Sequence, residues 1–385
     1  MVYTDKLTAL ATLAATGAFA QTTDGSNGFQ ITGNFNAGLV SNNFGGNKVS
    51  GFEQNGMGTS SIFFRGTEDL GGGLKANFLH GTDVQFMTVA GDAGSMYSGS
   101  NSGKVGTFGT DQKLVGLSGA FGAVNFGAIN NSSLYNGIVL FNPTVGTSFG
   151  GGYGSIICAD PSCGVVRYDN TLEYKSPVIN GFQAFGQYAT KQKNAINTNY
   201  TTTLGALNGP EMAEVSAKYS NGPLTAAYTH LGTDATGVAT ATTAAVKKSV
   251  DTFAAAYDLG NGLRLGALTQ KLKAPTLVAY GGAEDLTKNT DRSTTAVNAI
   301  YTMGLNTFML TVGQAKENNA TRTTFGGKTS KFTGVQYKYA LSKMTSLEAR
   351  WEKLDDAAGT YTFPAQFTTT DRIRTRSTVG VNMNF

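Results

Sequence analysis

The chain has 385 residues, a net charge of +4 and only 14% charged residues, with 51 Gly, 23 Phe, 16 Tyr and 7 Pro. Disordered chains combine high net charge with few aromatic residues, so this composition excludes disorder. The mild positive charge, with no basic stripe, argues against nucleic acid as a partner. A polar chain rich in glycine and aromatic residues is typical of an all-β protein.

The first element in chain order is an apolar run of small residues, LTALATLAATGAFA, at 7–20. The run ends in an A-x-A pattern before Gln21, which is typical of a secretory signal peptide and its cleavage site. A buried N-terminal helix is the alternative. No later run of about eighteen apolar residues follows, so no membrane-spanning helix is predicted. We predict a signal peptide at 1–20 and one exported domain at 21–385.

The exported part repeats a period of two over segments of about ten residues. In the last segment, one face carries apolar residues and the other polar and basic ones: Ile373, Val379, Val381, Met383 and Phe385 against Arg372, Arg374, Arg376 and Asn382. The segments near 212–220, 251–259 and 305–316 alternate in the same way. In 166–175, the alternation assigns Tyr168 to the apolar face and Asp169 to the polar face.

Tight turns alternate with long polar connections along the chain. The turns are predicted at 71–73, 121–123, 176–181, 220–223, 259–262, 303–306 and 341–344, where Gly, Asn, Pro and Ser are concentrated. The long connections are predicted near 41–58, 87–108, 132–165, 191–211, 231–248, 274–290, 317–328 and 355–371. About sixteen strands result, with both termini on the side of the short turns, which is the rule for bacterial transmembrane barrels.

The polar faces of these strands decide the fold class. They are rich in Arg, Lys, Thr, Asn and Gln, which is too hydrophilic for the dry core of a soluble β-sandwich. A barrel that turns its apolar face to lipid and its polar face to water leaves no sheet edge unpaired. A propeller or solenoid would need a repeat of about 20 to 50 residues, which is not found. We predict an all-β, sixteen-stranded antiparallel transmembrane β-barrel.

Three segments resemble the general porins of betaproteobacteria: SSIFFRGTEDLGGGLKANF (60–78), RYDNTLEYKSPVINGF (167–182) and YALSKMTSLEARW (339–351). The resemblance implies a homotrimer in the cell outer membrane whose water-filled channel passes small hydrophilic solutes. It also implies contact with lipopolysaccharide and outer-membrane lipid, and recognition of the terminal Phe385 by the outer-membrane assembly machinery. The third long loop, 132–165, would fold into the lumen.

The same resemblance supplies candidate residues for the constriction. Arg65 and Lys113 stand where the family places basic wall residues facing the third loop, and Arg167 belongs to the strand that follows it. Asp169 and the arginines at 372, 374 and 376 are predicted to line the pore by alternation. Asp160, the only carboxylate of the third loop, is also a predicted residue of the constriction.

The family pattern is not complete in this chain. Ser61 and Ala128 stand where the family usually has arginine, so we expect a less charged constriction than in typical members. The basic wall and the nearly acid-free loop predict a weak preference for anions.

The third loop also contains both cysteines, Cys158 and Cys163. In an oxidising periplasm their short spacing predicts a disulfide that tightens the loop. A metal or redox pair is the alternative, but no further Cys and no nearby His could complete it. No metal and no cofactor is therefore expected.

An enzyme and a substrate-specific channel are the alternatives to a general porin. An enzyme would need a histidine placed with nucleophilic or acidic partners, and neither His80 nor His230 has such a context, so we predict no catalysis. A substrate-specific channel would line its lumen with aromatic rings. Candidates for such a lining are Phe63 on the wall and Phe141, Phe149 and Tyr153 in the third loop.

Overall fold

The structure is a computed structural model that describes residues 28–54, 56–84, 86–87, 108–142, 155–163, 165–190, 212–234, 247–275, 288–360 and 371–385. The predicted signal peptide lies outside these residues. No helix in the described part of the chain is long and apolar enough to cross a membrane.

Seventeen β-strands account for most of the described residues. They are β1 Gly28–Phe44, β2 Asn47–Gln54, β3 Ser61–Gly71, β4 Leu74–Asp83, β5 Lys113–Gly119, β6 Gly122–Asn130, β7 Arg167–Lys175, β8 Phe182–Ala189, β9 Met212–Asn221, β10 Leu224–Asp234, β11 Lys247–Asp258, β12 Leu263–Ala274, β13 Thr290–Met303, β14 Asn306–Glu317, β15 Thr329–Ala340, β16 Thr345–Asp355 and β17 Ile373–Asn384. One short π-helix, Ser133–Val139, lies between β6 and β7 and is called the loop helix below.

The strands form one closed antiparallel sheet. Each strand from β3 onward pairs with the next in the chain, and β1 closes the circle against β17 from Asn34 opposite Asn384 to Phe44 opposite Arg374. All seven predicted short turns fall between paired strands and are confirmed. Gly122 shows why such turns need glycine: its φ is +100°, and a Cβ there would lie 2.0 Å from the carbonyl oxygen of Lys175.

The second strand position of the barrel, which lies between β1 and β4, is divided between two strands. β1 pairs through its first half with β3 and through its second half with β2, so β2 and β3 together fill one position. Seventeen strand segments therefore make sixteen positions, which confirms the predicted sixteen-stranded barrel. The long connection predicted at 41–58 is wrong, because most of it is strand, joined by a turn at Gly45 and Gly46.

Residues 56–60, which connect β2 to β3, fold over the inner side of β1 and β17, and we call them the inward tuck. A Cβ on Gly56 would contact the side chains of Thr378 and Val40, which are both buried on the inner face. The side-chain amide of Asn36 donates to the carbonyl oxygen of Gly58. The tuck therefore replaces part of the open lumen with protein.

The two faces of the sheet have opposite chemistry, as the alternation predicts. The outer face exposes large apolar side chains, among them Leu265, Val297, Phe308, Trp351 and Val379. The inner face carries buried polar side chains, among them Thr252, Gln270, Thr294, Thr311 and Gln336. This arrangement suits a barrel with lipid outside and polar groups within.

Candidate functional site

The loop helix is held on the inner wall by one carboxylate. Glu214 on β9 accepts hydrogen bonds from the backbone N–H of Ser132 at 2.6 Å, and from the backbone N–H and Oγ of Ser133 at 2.5 and 2.6 Å. Further along, the guanidinium of Arg264 on β12 donates to the carbonyl oxygens of Leu140 and Phe141. A buried carboxylate that accepts several N–H and O–H bonds is a strong anchor, so the loop helix is fixed inside the barrel.

The second described part of the third loop, 155–163, lies on the inner wall of β12 and β13. Gln270 exchanges two hydrogen bonds with the backbone of Cys158, at 2.8 and 2.7 Å. Thr294 Oγ1 donates to the carbonyl oxygen of Ile156 at 2.6 Å, and Arg292 Nη1 donates to that of Ser155 at 3.1 Å. Polar wall side chains thus satisfy the backbone of residues 155–163, and this segment is packed against the inside of the barrel.

Cys158 and Cys163 are joined by a disulfide within this segment. The predicted constriction residue Asp160 lies between them but is only 2% exposed. Its carboxylate accepts hydrogen bonds from Ser162 Oγ at 2.6 Å and from the backbone N–H of Val165 at 3.0 Å. Asp160 therefore holds the turn together and does not line open water, contrary to the prediction.

The disulfide closes a turn that Gln270 also holds, so its removal should loosen the loop without releasing it. For the double variant Cys158→Ser and Cys163→Ser, we expect more current noise in single-channel recordings and little change in mean conductance. Dithiothreitol should produce the same noise in the wild type and have no effect on the variant. An unchanged noise level in both experiments would contradict this expectation.

Arg65 and Arg167 both lie near the loop helix. Arg65, on the inner face of β3, has its guanidinium carbon 5.4 Å from the ring centre of Phe63 and lies near Tyr135 of the loop helix. Arg167 donates to the carboxylate of Asp111 and to Asn130 Oδ1 at 3.0 Å. The structure thus brings these two predicted residues to the third loop, at the extracellular end of the wall.

Tyr135 is the centre of this cluster. Its hydroxyl accepts a hydrogen bond from Asn130 Nδ2. Burial raises the pKa of the Tyr135 phenol above its usual range, and the negative charge of Asp111 raises it further. The tyrosine is therefore neutral at any physiological pH, and the fixed charges of the cluster are those of Arg65, Arg167 and Asp111.

Two arginines of the last strand are on the inner face but are enclosed. Arg374 has no solvent exposure; its guanidinium carbon lies 4.7 Å from the ring centre of Phe44 and its Nη2 donates to Asn42 Oδ1 at 3.1 Å. Arg376 is 7% exposed and lies 3.9 Å from Glu53 of β2. The prediction that Arg374 and Arg376 line open water is wrong, because residues of β1 and β2 cover their guanidinium groups.

Arg372 has a different environment from its two neighbours. It lies just before β17 at the extracellular end, where its Nη2 donates to Asp356 Oδ2 at 2.5 Å. Its side chain is 28% exposed, whereas that of Asp356 is 0% exposed. Of the three arginines, Arg372 alone presents an appreciable surface to water.

Lys113 is placed on the outer face, contrary to the prediction. It stands opposite His80 and shares its face with Val115 and Leu117, which are exposed to the outside. The physical reason is a bulge just before β5. The carbonyl oxygen of Gly81 on β4 accepts a hydrogen bond from the N–H of Asp111, and the N–H of Gly81 donates one to the carbonyl oxygen of Gln112. Two residues before β5 therefore face one residue of β4, and the inward and outward order of the side chains that follow shifts by one residue.

A second bulge corrects the assignment of Asp169. The pairing of β6 with β7 shifts between Gly127 opposite Thr171 and Ile129 opposite Tyr168, where Asn170 adopts a φ of 54°. As a result Tyr168 and Thr171 are both buried on the inner side, and Asp169 is exposed on the side opposite to Tyr168. Asp169 therefore does not line the pore, and Tyr168 does not face lipid.

The ion pairs of the inner wall share one asymmetry: the cation is more exposed to water than the acid. Lys175 is 29% exposed and Glu173 only 4%, and Lys338 is 20% exposed and Glu348 only 3%. The same order holds in all six pairs that the described residues form on this wall or at its rim, which are Arg167–Asp111, Lys175–Glu173, Arg322–Glu317, Lys338–Glu348, Arg372–Asp356 and Arg376–Glu53.

Lys218 adds an unpaired charge to this wall. It follows Ser216 on the inner face of β9, near the short-turn end, and forms no ion pair with any described residue. Among the charged side chains named here, those with the larger exposed fraction on the inner wall are therefore the cations.

The aromatic lining expected of a substrate-specific channel finds little support among the described residues. Phe63 does face inward, beside Arg65. Phe141, however, is fully buried against Gly266 of β12 and offers no face to a solute. Phe149 and Tyr153 lie outside the described residues.

Neither histidine faces the lumen. His80 stacks on Phe108 on the outer wall, with ring centres 4.4 Å apart, and His230 Nδ1 lies 2.7 Å from Asp251 on the outer face of β10 and β11. The described residues contain no group of three or more His, Cys, Asp or Glu side chains that could hold a metal ion.

The anchors of the third loop were not identified from the sequence. Alternation places Glu214 and Gln270 on the inner face, since each lies between outward residues, but it does not say what they contact. Their partners are 81 and 112 residues away in the chain. No local pattern carries that information.

Comparison with known proteins relates most of the chain to a family model described as Gram-negative porin, which matches residues 7–358. Outer membrane porin protein 32 of Delftia acidovorans is 33% identical over 272 residues, which are 69% of this chain and 68% of that protein. An outer membrane porin protein of Bordetella pertussis is 29% identical over 171 residues, 43% of this chain and 40% of that protein.

Solved structures share the fold over nearly the full length. An anion-selective porin from Comamonas acidovorans superposes with a TM-score of 0.68 at 21% identity, covering 94% of this chain and 100% of that one. OmpT of Vibrio cholerae in its trimer form gives a TM-score of 0.59 at 13% identity, covering 94% and 100%. At these identities the likeness concerns the fold alone.

Proposed function

The chain belongs to the Gram-negative porin family, and from this we propose that it is a general diffusion channel for small hydrophilic solutes and ions with a weak preference for anions. As a member of that family it lies in the outer membrane. The relatives are channels rather than enzymes, and we propose that this chain has no catalytic activity.

The observation that carries the anion preference is the exposure of the ion pairs on the inner wall. In the pairs Lys175–Glu173, Lys338–Glu348 and Arg372–Asp356 the acid is buried behind its cation, so a permeating ion meets the positive partner first. Because the buried acids still cancel most of the field at longer range, the preference is weak. The anion selectivity named for the Comamonas relative agrees with this sign.

Reversal potentials across planar bilayers in a KCl gradient test this proposal. We expect a potential that indicates modestly higher permeability for chloride than for potassium. Lys218→Glu should lower the permeability ratio by about twofold or more, because it inverts an unpaired charge beside the permeating ions. Lys48→Glu, on the outer wall of β2, is the matched control and should leave the ratio unchanged. A clear cation preference of the wild type would refute the proposal.

Several finer features belong to the same proposal. We propose a homotrimer, in keeping with the trimer form of the Vibrio relative. We also propose that residues 1–20 are a signal peptide removed on export and that 21–385 form the barrel domain. The aromatic ring of Phe385, stacked on Phe35 at 5.4 Å and partly exposed, would be recognised by the assembly machinery.

A further inference from the structure

A half-buried aromatic side chain lies between two lysines on the inner wall, near the short-turn side. Phe185 on β8 stands directly opposite Lys175 of β7, and Lys218 of β9 is its diagonal neighbour on the other side. Diagonal neighbours in a sheet are about 7–8 Å apart, which is within reach of long side chains. We call these three residues the lysine–phenylalanine patch.

Phe185 faces the lumen and not the lipid. Gln187, two residues further along β8, donates to Glu173 on the inner wall at 2.7 Å. Phe182 is on the opposite face of the strand, where its ring centre lies 4.5 Å from that of Tyr219. Because side chains alternate along a strand, Phe185 points inward with Gln187. The exposed part of its ring therefore meets water and solutes, and not hydrocarbon.

The two lysines place positive charge beside this ring. Lys218 forms no ion pair with any described residue. Lys175 Nζ lies 3.1 Å from Glu173 Oε1, but the side chain of Lys175 is still 29% exposed. An ammonium group has three N–H donors, so Lys175 can donate to a second acceptor while it is paired with Glu173.

The acids nearest to the patch are already engaged. The side chain of Glu173 is 4% exposed and accepts a hydrogen bond from Asn125 Nδ2 at 2.8 Å. Glu214 is 2% exposed and accepts from the backbone N–H groups that it anchors in the loop helix. Because both carboxylates are buried, an anion that approaches the ring meets the ammonium groups of Lys175 and Lys218 first.

The patch borders the loop helix. Asn136 of that helix donates to Ser216 Oγ at 3.2 Å, and Ser216 stands directly opposite Phe185. The short turns that follow Lys175 and Lys218 are periplasmic in barrels of this kind. A solute that has passed the loop helix from outside therefore reaches the patch before it leaves the barrel.

We propose that the lysine–phenylalanine patch binds small aromatic carboxylates, of which benzoate is the simplest. The ring of the solute stacks on Phe185, and its carboxylate accepts hydrogen bonds from Lys218 and Lys175. Chloride uses only the lysines and a neutral ring only the phenylalanine, so each binds more weakly. One ring is not the lining of a substrate-specific channel, and other solutes still pass. The proposal rests on the channel proposed above and names a substrate class for it.

Block of the chloride current by benzoate tests this site in single channels of the full-length protein, with the solute added to both sides of a planar bilayer. We expect a reversible, saturable decrease in conductance. Acetate, which lacks the ring, and benzamide, which lacks the charge, should each block on the order of tenfold more weakly. Cyclohexanecarboxylate, which is apolar but not aromatic, should block several-fold more weakly than benzoate.

Variants separate the ring from the charge. Phe185→Leu should weaken the benzoate block about fivefold and leave the acetate block as in the wild type, because it removes the ring and keeps an apolar side chain. Phe185→Tyr keeps the ring and should retain the benzoate block. Lys218→Gln should weaken the blocks by benzoate and by acetate alike. Phe182→Leu, on the outer face of the same strand, is the matched control and should behave like the wild type.

Two results would overturn the inference. One is equal block of the wild type by benzoate and cyclohexanecarboxylate, which would leave no role for an aromatic ring. The other is an undiminished benzoate block in Phe185→Leu or in Lys218→Gln. A wild type that prefers anions in a KCl gradient but is not blocked by benzoate would refute this inference alone, whereas a cation preference would refute the proposed function.

Discussion

Glu214→Gln should release the loop helix from the wall and raise single-channel conductance. The amide keeps the size of the side chain but turns one acceptor into a donor, which then faces the N–H groups of Ser132 and Ser133. Each lost charge-assisted hydrogen bond contributes about 1.5–3 kcal/mol, so the anchored state of the loop should be destabilised by at least about 2 kcal/mol.

The measurement is single-channel recording in planar bilayers, with limited proteolysis of the folded barrel as a second readout. We expect larger and more variable conductance steps and faster cleavage within the third loop. Glu173→Gln is the matched control, since this carboxylate is also buried on the inner wall but bonds to Asn125 and Gln187 rather than to the loop helix. Wild-type conductance and cleavage in Glu214→Gln would show that Glu214 is not the anchor.

Arg374→Met should destabilise the folded barrel more than any other single change to the predicted pore residues. The guanidinium is completely buried, stacks on Phe44 and donates to Asn42, so its removal leaves a buried acceptor without its donor and an aromatic face without its cation. Together these losses amount to about 2–4 kcal/mol.

Heat-modifiable electrophoretic mobility and urea unfolding of the refolded protein measure this effect. The folded band of Arg374→Met should disappear at a lower temperature than that of the wild type, and the urea midpoint should fall. Arg374→Lys should lie between the two, because it keeps the charge but not the planar stacking. Lys48→Met, at an exposed outer position, should behave like the wild type. Unaltered stability of Arg374→Met would mean that its enclosure contributes nothing to the fold.

The fold followed from the sequence because the alternation of polar and apolar residues is a local signal. It assigned both faces of β17, from the buried Thr378 to the exposed Val379, and the seven short turns carried their own residue preferences. The same reasoning failed where one extra residue enters a strand. The irregularity at Asn170 shifts the period by one and leaves no mark in composition. Lys113, which was assigned from the family resemblance and not from alternation, faces outward after the bulge that precedes β5.

The site was less predictable than the fold because its contacts join distant parts of the chain. Alternation shows that Arg374 points inward, but the tuck at 56–60 that helps to enclose this wall is more than three hundred residues away in the sequence. The long connection predicted at 41–58 failed for the same reason: its polar composition suits a loop, yet β1 and β17 provide a ladder for it.

The unequal exposure of the ion pairs makes discrimination between ions depend on the surrounding medium. The Debye length is about 10 Å at 0.1 M salt but only about 3 Å at 1 M. In dilute surroundings the field of a partly exposed lysine such as Lys218 extends far across the opening, whereas in concentrated salt it ends within one layer of water. The same barrel therefore sorts solutes by charge in fresh water and only by size in brine.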